Sequence, residues 1–196
     1  MARVLCVDDN VELIEVLMEM LRTSGHEPYR ALGGEECLEL LKNGKCTPDI
    51  IMLDLMMHPM DGWSVLKAIR EDDRFDAIPV IILTGKYPTM AEVVEYCTMF
   101  EGYLMKPFAI DRLMEEIEGV LQKVRTREEV IRRASQKGMD QSMLDEYRKL
   151  SSTAIVLSQF ETIITDGTFT RKVFSGMEKR LDNIEDWLTQ LGVLVH

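Results

Sequence analysis

The sequence is poor in cysteine and histidine, the residues that hold zinc and other soft metal ions. It has four cysteines and three histidines in 196 residues, and no two of the cysteines form a CxxC pair. A zinc site is therefore not expected. Scattered single cysteines are typical of proteins that keep their thiols reduced, which favours a cytoplasmic location.

The sequence also lacks an excess of positive charge. Its net charge is −11, and residues 126–196 contain 10 basic and 11 acidic side chains, so nearly all of the negative charge precedes them. Non-specific binding to nucleic acid or to anionic lipid is therefore not expected. No apolar run is long enough to span a bilayer, and the opening segment MARVLCVDD has no signal-peptide core. A cytoplasmic chain without a membrane partner is predicted.

What the first 125 residues do contain is a regular alternation of short apolar runs and amphipathic segments. Such alternation predicts an α/β fold, in which helices cover both faces of a parallel sheet. The first, third and fourth runs are continuously apolar, which indicates central strands. The predicted strands are 3–7, 28–32, 49–55, 78–84 and 102–105. The predicted helices are 11–25, 34–44, 62–72, 89–99 and one that begins near residue 111.

Polar residues at the carboxyl ends of these strands form one set, at the edge of the sheet where ligands bind in such folds. The set consists of Asp8, Asp9, Asp54, Thr84, Lys106 and Pro107. Three neighbouring carboxylates repel one another unless a cation lies between them. Oxygen ligands without histidine or cysteine favour Mg²⁺. Because Lys106 and Thr84 could hold phosphoryl oxygens, the set predicts phosphoryl transfer to an aspartate nucleophile.

Most of these residues also have a simpler interpretation. Asp9 could cap the following helix, with Glu12 completing a capping box. Thr84-Gly85 alone is more typical of a turn than of a site. Only Asp54, an acid at the end of an apolar strand, suggests a function by itself, because such a charge is costly to bury. The conjunction of all the segments at one edge of a parallel sheet is what favours a site.

In order and spacing, Asp8-Asp9, Asp54, Thr84 and Lys106-Pro107 resemble the phosphorylation site of response-regulator receiver domains, the CheY-like family of two-component signalling. The resemblance covers residues 1–124 and implies a flavodoxin-like, doubly wound sheet of five parallel strands in the order 2-1-3-4-5. It implies phosphorylation by a histidine kinase, a phosphotransfer protein or a small phosphoryl donor, with Mg²⁺ as cofactor. No enzymatic activity is expected beyond self-phosphorylation and self-dephosphorylation.

The resemblance also implies a role for each acidic residue. Asp54 would accept the phosphoryl group. Asp9 would bind Mg²⁺ directly, Asp8 would help through water, and Asp54 and the main-chain carbonyl of Met56 would complete the protein's share of the metal ligands.

Four further residues have roles that the resemblance implies. Thr84 and Lys106 would contact the phosphoryl group. Pro107 would set the conformation of the active-site loop. Tyr103 would be the switch aromatic that turns inward when Thr84 moves. This change would bias the packing of the fourth helix and the fifth strand between two states.

The sequence departs from the family pattern in the loop that follows Asp54. The proline usually found four residues after the phosphoacceptor is His58 here, with Pro59 one residue later. We interpret His58 as an exposed loop residue, with no role assigned. The two positions that tune the phosphoryl lifetime in the family are Met56 and Lys86, and neither offers a carboxylate or an amide to position water. Slow self-dephosphorylation is therefore predicted.

After residue 110 the sequence predicts helices only. One helix over 111–137 continues the receiver, and two more over about 140–165 and 169–191 form an all-α helical hairpin. The predicted domains are a receiver (1–124), a helical linker (125–138) and a C-terminal hairpin (139–196). The apolar face of the first hairpin helix comprises Met143, Tyr147, Leu150, Ala154, Leu157, Phe160 and Ile164. The seam of the second comprises Phe174, Met177, Leu181, Ile184, Leu188 and Leu191.

The hairpin has three possible functions. Because its core is thin, its remaining apolar face should pack on another copy, on the linker helix or on a partner, which favours a homodimer or protein partner through residues 139–196. A DNA-binding output domain remains an alternative, although acidic residues follow the basic pairs Arg171-Lys172 and Lys179-Arg180. A histidine phosphotransfer hairpin is excluded, because its histidine would have to lie within these helices and none does.

A different class remains for the whole chain, an Asp-nucleophile phosphohydrolase. Such enzymes typically carry a second acid two residues after the nucleophile, where this sequence has Met56. Asp61 lies seven residues after Asp54 and is too far along the loop to replace it. The response regulator is therefore the favoured function.

Overall fold

The computed structural model of the chain describes residues 1–160 and 167–194, without the side chains of residues 90, 155 and 157–174. The chain divides into two compact units. The first comprises Met1–Thr89 and Met99–Leu121, and the second comprises Met90–Thr98 and Gln122–His196. None of the helices described is long and apolar enough to cross a membrane.

Strands and helices alternate through the first 136 residues, as the sequence predicts. The strands are β1 (Arg3–Val7), β2 (Glu27–Ala31), β3 (Ile50–Leu53), β4 (Val80–Thr84) and β5 (Gly102–Met105). The helices are α1 (Val11–Thr23), α2 (Gly34–Lys42), α3 (Gly62–Arg70), α4 (Met90–Tyr96) and α5 (Ile110–Gln136). The observed elements lie within about two residues of the predicted bounds at most of their ends. Helix α4 belongs to the second unit, and α5 contributes to both.

The strands form one parallel sheet in the order β2-β1-β3-β4-β5, which confirms the predicted 2-1-3-4-5 topology. All residues of β3 and β4 are buried, whereas the edge strand β2 is mostly exposed or half-buried. In the register, Val7 pairs with Leu53, and Thr84 pairs with Met105. β1 therefore ends level with β3, and β4 ends level with β5, while β4 extends two residues beyond the end of β3. The residues that follow these strands meet at one edge of the sheet.

Side chains cap the helices that border this edge. Asn10, not Asp9, is the N-cap of α1, and its side chain accepts a hydrogen bond of 3.0 Å from the Leu13 amide. The capping-box interpretation of Asp9 is therefore wrong, because the helix begins one residue later than it requires. Asp61 caps α3 in the same way, accepting from the Ser64 amide at 2.8 Å. Asp9 is left available at the strand end.

The second unit contains α6 (Gln141–Phe160) and α7 (Gly167–Gln190), which pack against each other and against the last part of α5. Gly138, with a φ of 84°, ends α5 in the left-handed conformation expected of a helix C-terminus. The buried core of this unit includes Val130, Ile131, Ala134, Met139, Leu144, Tyr147, Ile184, Leu188 and Val193. Of the three partners predicted for the hairpin's apolar face, the structure identifies the linker helix.

One predicted face of the hairpin differs in the structure. Ala154 is exposed, whereas its neighbours Ser152 and Thr153 are buried. The two hydroxyls are satisfied within α6 by the carbonyls four residues earlier, and buried Arg127 donates to Ser152 Oγ. Polar side chains with satisfied hydrogen bonds can therefore occupy buried positions that the apolar pattern alone does not predict. The predicted face residues Leu157, Phe160, Ile164 and Phe174, and the first two residues of the TDGT turn, lie outside the described side chains or residues.

Candidate metal centre at the carboxyl edge of the sheet

Asp8, Asp9 and Asp54 meet at the carboxyl edge of the sheet, as the sequence predicts. Each can offer a carboxylate oxygen such that these atoms all lie within 4.8 Å of one another. Asp8 follows the last residue of β1, and Asp54 follows the last residue of β3. The amide of Asp54 donates to the carbonyl of Val7 at 2.9 Å, which fixes the two strand ends side by side.

Asp54 is buried, and one of its carboxylate oxygens accepts no hydrogen bond from the described residues. Only 5% of its surface is exposed, and its Oδ1 has no hydrogen-bond partner in the part of the chain that the structure describes. Burial raises the pKa of its carboxyl above the ordinary value, and Asp8 raises it further, while the nearby Lys106 ammonium opposes both. An unsatisfied buried carboxylate oxygen is costly in the folded state. A cation bound at this oxygen would remove that cost.

Lys106 provides the positive charge of the site. Its Nζ lies 2.5 Å from Asp8 Oδ2, to which it donates a hydrogen bond, and 3.3 Å from Asp54 Oδ1, an ion-pair distance without hydrogen-bond geometry. Its amide donates to the Thr84 carbonyl at 2.9 Å, which ties β5 to the end of β4. The peptide bond between Lys106 and Pro107 is cis.

Asp9 and Asp8 differ in exposure and in their partners. Asp8 is buried, and its Oδ1 accepts from the Asn10 amide at 2.8 Å. Asp9 is exposed, and its Oδ2 accepts from the main-chain amide of His58 at 3.1 Å. Both carboxylates therefore reach the site from β1 but are oriented by different loops.

This group of oxygens fits a hard divalent cation. The ligand atoms are carboxylate oxygens alone, and Oδ1 of Asp54, which is near Lys106 but accepts no hydrogen bond within the described part of the chain, can bind a further cation. Met56, whose carbonyl is a predicted ligand, lies two residues after Asp54 in a loop that leaves it 58% exposed. Mg²⁺ matches this donor set, because it is held by a few carboxylates and keeps several waters.

Thr84 and Tyr103 lie on the β4–β5 side of the site. Thr84 is fully buried, and its Oγ1 accepts from the Lys86 amide at 3.2 Å. Tyr103 is buried as well, with its hydroxyl donating to the Lys86 carbonyl at 2.5 Å. One loop residue is thus bonded to both side chains through its main chain. The role of Tyr103 as a switch aromatic, which turns inward when Thr84 moves, stays a prediction.

Sequence reasoning missed two hydrogen bonds at or beside the cluster. The Asn10 cap of α1 could have been found, since asparagine is as good an N-cap residue as aspartate. The bond from the His58 amide to Asp9 could not, because it joins residues far apart in sequence through a main-chain group that a residue pattern does not locate.

Curated proteins are similar to the chain over the part that contains this cluster. It is 32% identical over 121 residues to the protein PilH of Pseudomonas aeruginosa, which covers 62% of this chain and 98% of PilH. It is 28% identical over 123 residues to the DNA-binding dual master transcriptional regulator RpaA of Synechocystis, covering 63% of this chain and 50% of RpaA. The chain thus spans about half the length of this regulator and of several other curated relatives that it matches.

Solved structures of response regulators are similar to the same part of the chain. The N-terminal domain of a response regulator receiver protein from Methanoculleus marisnigri JR1 is 42% identical, with a TM-score of 0.51, covering 62% of this chain and 97% of that domain. The chemotaxis protein CheY4 of Vibrio cholerae is 30% identical, with a TM-score of 0.56, covering 61% of this chain and 98% of CheY4. The family model of the response regulator receiver domain matches residues 4–118. The chain therefore belongs to the response regulator receiver domain family.

Proposed function

We propose that the chain is a response regulator in which Asp54 accepts a phosphoryl group from a histidine kinase or a phosphotransfer protein. The observation that carries this proposal is the buried, unsatisfied Oδ1 of Asp54, which lies within reach of Asp8, Asp9 and Lys106. A carboxylate held in this way has a free lone pair for attack and a neighbouring ammonium to receive the charge that the transfer brings.

The transfer can be written for the residues of this chain. An oxygen of Asp54 bonds to phosphorus while the bond between phosphorus and the donor's imidazole nitrogen breaks. The leaving nitrogen keeps the electron pair, and the imidazole takes up a proton from water. Lys106 Nζ and the Thr84 hydroxyl are proposed to hold two of the phosphoryl oxygens. This would keep the phosphorus in line between the Asp54 oxygen and the leaving nitrogen. Because Asp54 must be ionised to attack, its raised pKa makes the positive charge of Lys106 important.

The proposed metal ligands are Asp8, through water, together with Asp9, Asp54 and the main-chain carbonyl of Met56. Bound Mg²⁺ would neutralise charge shared by the carboxylates and the phosphoryl oxygens. Asp9 and Asp54 would bind it directly, so the exposed Asp9 must keep its orientation while solvent surrounds it. Pro107 is proposed to hold the loop that presents Lys106.

The output of the switch is proposed to act through the helical tail and its contacts with proteins. The phosphoryl group carries about −1.5 to −2 charges, in place of the single negative charge of the Asp54 carboxylate, and Thr84 and Tyr103 are proposed to respond to it. Helix α4 belongs to the same compact unit as residues 122–196, so a change in the packing of α4 would take place within the unit that contains the tail. Residues 126–196 have almost balanced charge, which favours a protein partner over DNA.

The form of that partner is open to a direct test. In the described part of residues 122–194, no large apolar side chain is strongly exposed, so an apolar dimer face has no support there. A homodimer through residues 139–196 stays a prediction. Sedimentation of the full chain with and without beryllofluoride and Mg²⁺ tests it. A monomer in both conditions would favour a heterologous partner.

Intact-mass spectrometry tests the phosphoacceptor. The full chain is incubated briefly with acetyl phosphate and Mg²⁺, and one lasting adduct of about 80 Da is expected, the mass of a phosphoryl group. Asp54→Asn should abolish it, while the matched variant Asp73→Asn, at an exposed loop residue, should keep it. An adduct that persists in Asp54→Asn contradicts the proposal. Steady release of phosphate from many phosphate esters, without an adduct, would favour the phosphohydrolase.

A further inference from the structure

The loop after Asp54 contains a hydrogen bond that depends on the departure of this sequence from its family. The position four residues after Asp54 is His58, where the family usually has proline. Proline has no main-chain N–H and cannot donate. His58 has one, and it donates to Oδ2 of Asp9 at 3.1 Å. The bond therefore exists in this chain because a residue other than proline occupies this position.

We propose that the main-chain amide of His58 is a positioning group that holds Asp9 ready to bind the divalent cation. This inference rests on the proposed function, because it concerns the same metal centre. The imidazole of His58 is exposed and has no part in the proposal. The amide alone carries the role, which gives a function to a residue that the sequence left unassigned.

The chemistry of the carboxylate allows the amide and a cation to bind at the same time. A carboxylate offers two oxygens and about four lone-pair sites. The amide occupies one site on Oδ2, so Oδ1 and the other lone pairs remain available to a metal ion. A hydrogen bond of this kind orients the ligand without replacing it, as outer-shell partners of metal ligands commonly do.

Asp9 needs such a partner more than the other two acids. Asp54 and Asp8 are buried, and Asp8 is already held by the Asn10 amide and by Lys106. Asp9 is exposed, so without a bond its side chain would rotate freely and would lose that freedom when the ion binds. The bond to His58 makes part of this ordering a property of the metal-free fold.

The bond also connects two segments that must bind the ion together. Asp9 stands just after β1, while His58 lies on the loop that carries Met56, whose main-chain carbonyl is a proposed ligand. A link between them fixes the distance between ligands from different strands. Preorganisation of this kind raises affinity by lowering the cost of assembling the site.

Calorimetric titration of Mg²⁺ into the full chain tests the proposal with two variants at the same position. His58→Ala removes the imidazole and keeps the N–H, whereas His58→Pro removes the N–H. The dissociation constant of His58→Pro is expected to be about tenfold larger than that of His58→Ala, the lower end for outer-shell partners of metal ligands. Equal constants for the two variants, or tighter binding by His58→Pro, would overturn the proposal.

A second measurement avoids the proline. In amide proton–nitrogen spectra of metal-free protein, the amide proton of residue 58 should move upfield in Asp9→Ala, because its carboxylate acceptor is gone, and should not move in Asp73→Ala. If the amide proton shift of residue 58 is unchanged in Asp9→Ala, the proposal is wrong, even if His58→Pro does not fold. The two proposals fail differently: if the wild-type chain binds no Mg²⁺ at millimolar concentration, the proposed metal centre itself is wrong.

Discussion

The ammonium of Lys106 lies 2.5 Å from the carboxylate of Asp8, and the two form an ion pair at the carboxyl edge of the sheet. The same ammonium is 3.3 Å from Asp54 Oδ1, without hydrogen-bond geometry. The Lys106 ammonium is therefore shared by two carboxylates, and it lies farther from Asp54 than from Asp8. Replacing Asp54 by a neutral side chain should consequently stabilise the protein when no divalent ion is present.

Asp54→Asn is expected to increase the free energy of unfolding near pH 7 in the presence of EDTA, because the neutral amide avoids the cost of burying the charged carboxylate. The sign follows from the pKa of Asp54, which is raised in the folded state above the ordinary 3.8. The folded wild type therefore holds this proton more tightly than the unfolded chain, so its stability falls as the pH rises through the folded pKa. Below the ordinary pKa the carboxyl is protonated in both states, and the gain should disappear.

Urea unfolding at a series of pH values measures this gain. Asp73→Asn is the matched control, because it removes the same charge from an exposed position. A similar gain in both variants would mean that net charge, not burial at Asp54, sets the effect. A gain that stays constant into the acid range would contradict the assignment of the raised pKa to Asp54.

The sequence was sufficient to predict the sheet and to name the residues that gather at its edge. The reason is geometric: parallel strands end at one edge, so Asp8 and Asp54, which follow the neighbouring strands β1 and β3, must meet there. Lys106 follows β5, two strands from β3, and its long side chain spans that distance. The burial of β1, β3 and β4 follows from their continuous apolar runs. These features depend on short stretches of sequence and on one packing rule.

The orientation of individual groups could not be predicted in the same way. Two adjacent residues, Asp9 and Asn10, are both suitable caps, and only the start of α1 decides between them. The apolar stripe of the hairpin predicts a packing partner but does not identify it. The structure shows that this partner is the last part of α5. Partner choice depends on contacts between distant segments, whereas periodicity reports only on one segment at a time.

A buried ion pair between Glu101 and Arg70 should be important for the stability of the first unit. Glu101 is 6% exposed, and its Oε2 accepts from the Val80 amide at 2.8 Å and from the Arg70 guanidinium at 3.3 Å. Glu101→Ala is expected to lower the free energy of unfolding by about 1–3 kcal/mol, because the buried Val80 amide loses this acceptor, while the Arg70 guanidinium keeps its bonds to main-chain carbonyls. Urea unfolding of Asp72→Ala, from the exposed pair with Arg74, should show a much smaller loss. Equal losses would contradict this prediction.

Gly62 is required by the close approach of the backbone around Asp54. A Cβ at this position would lie 2.2 Å from the Asp54 carbonyl oxygen and 2.8 Å from Leu55 Cα. These main-chain atoms cannot move aside without shifting residues 54–61, the acceptor loop that begins at the phosphoacceptor. Gly62→Ala should therefore destabilise the protein by about 1–3 kcal/mol and slow phosphorylation of Asp54. Thermal unfolding and the rate of adduct formation measure the two effects.

Gly119 provides the matched control for this substitution. It lies within α5 with open space around its missing Cβ, so Gly119→Ala should increase stability by up to about 1 kcal/mol. Phosphorylation of the Gly119→Ala protein should proceed at the wild-type rate. A loss of stability in this variant equal to that of Gly62→Ala would mean that steric contact with the acceptor loop is not the cause.

The phosphorylated state should be long-lived, because the residue beside the acceptor cannot position water. Met56 is 58% exposed in the acceptor loop, and its thioether is at most a weak acceptor for an attacking water. Met56→Asn supplies an amide at the same place and should increase the rate of dephosphorylation about tenfold, a modest value for assistance by a positioned group. The rate is followed as loss of the mass adduct after removal of acetyl phosphate. Leu32→Asn, which exchanges another exposed apolar side chain for an amide, should leave the rate unchanged; equal acceleration in both variants would show that the amide at residue 56 does not act on the phosphoryl group.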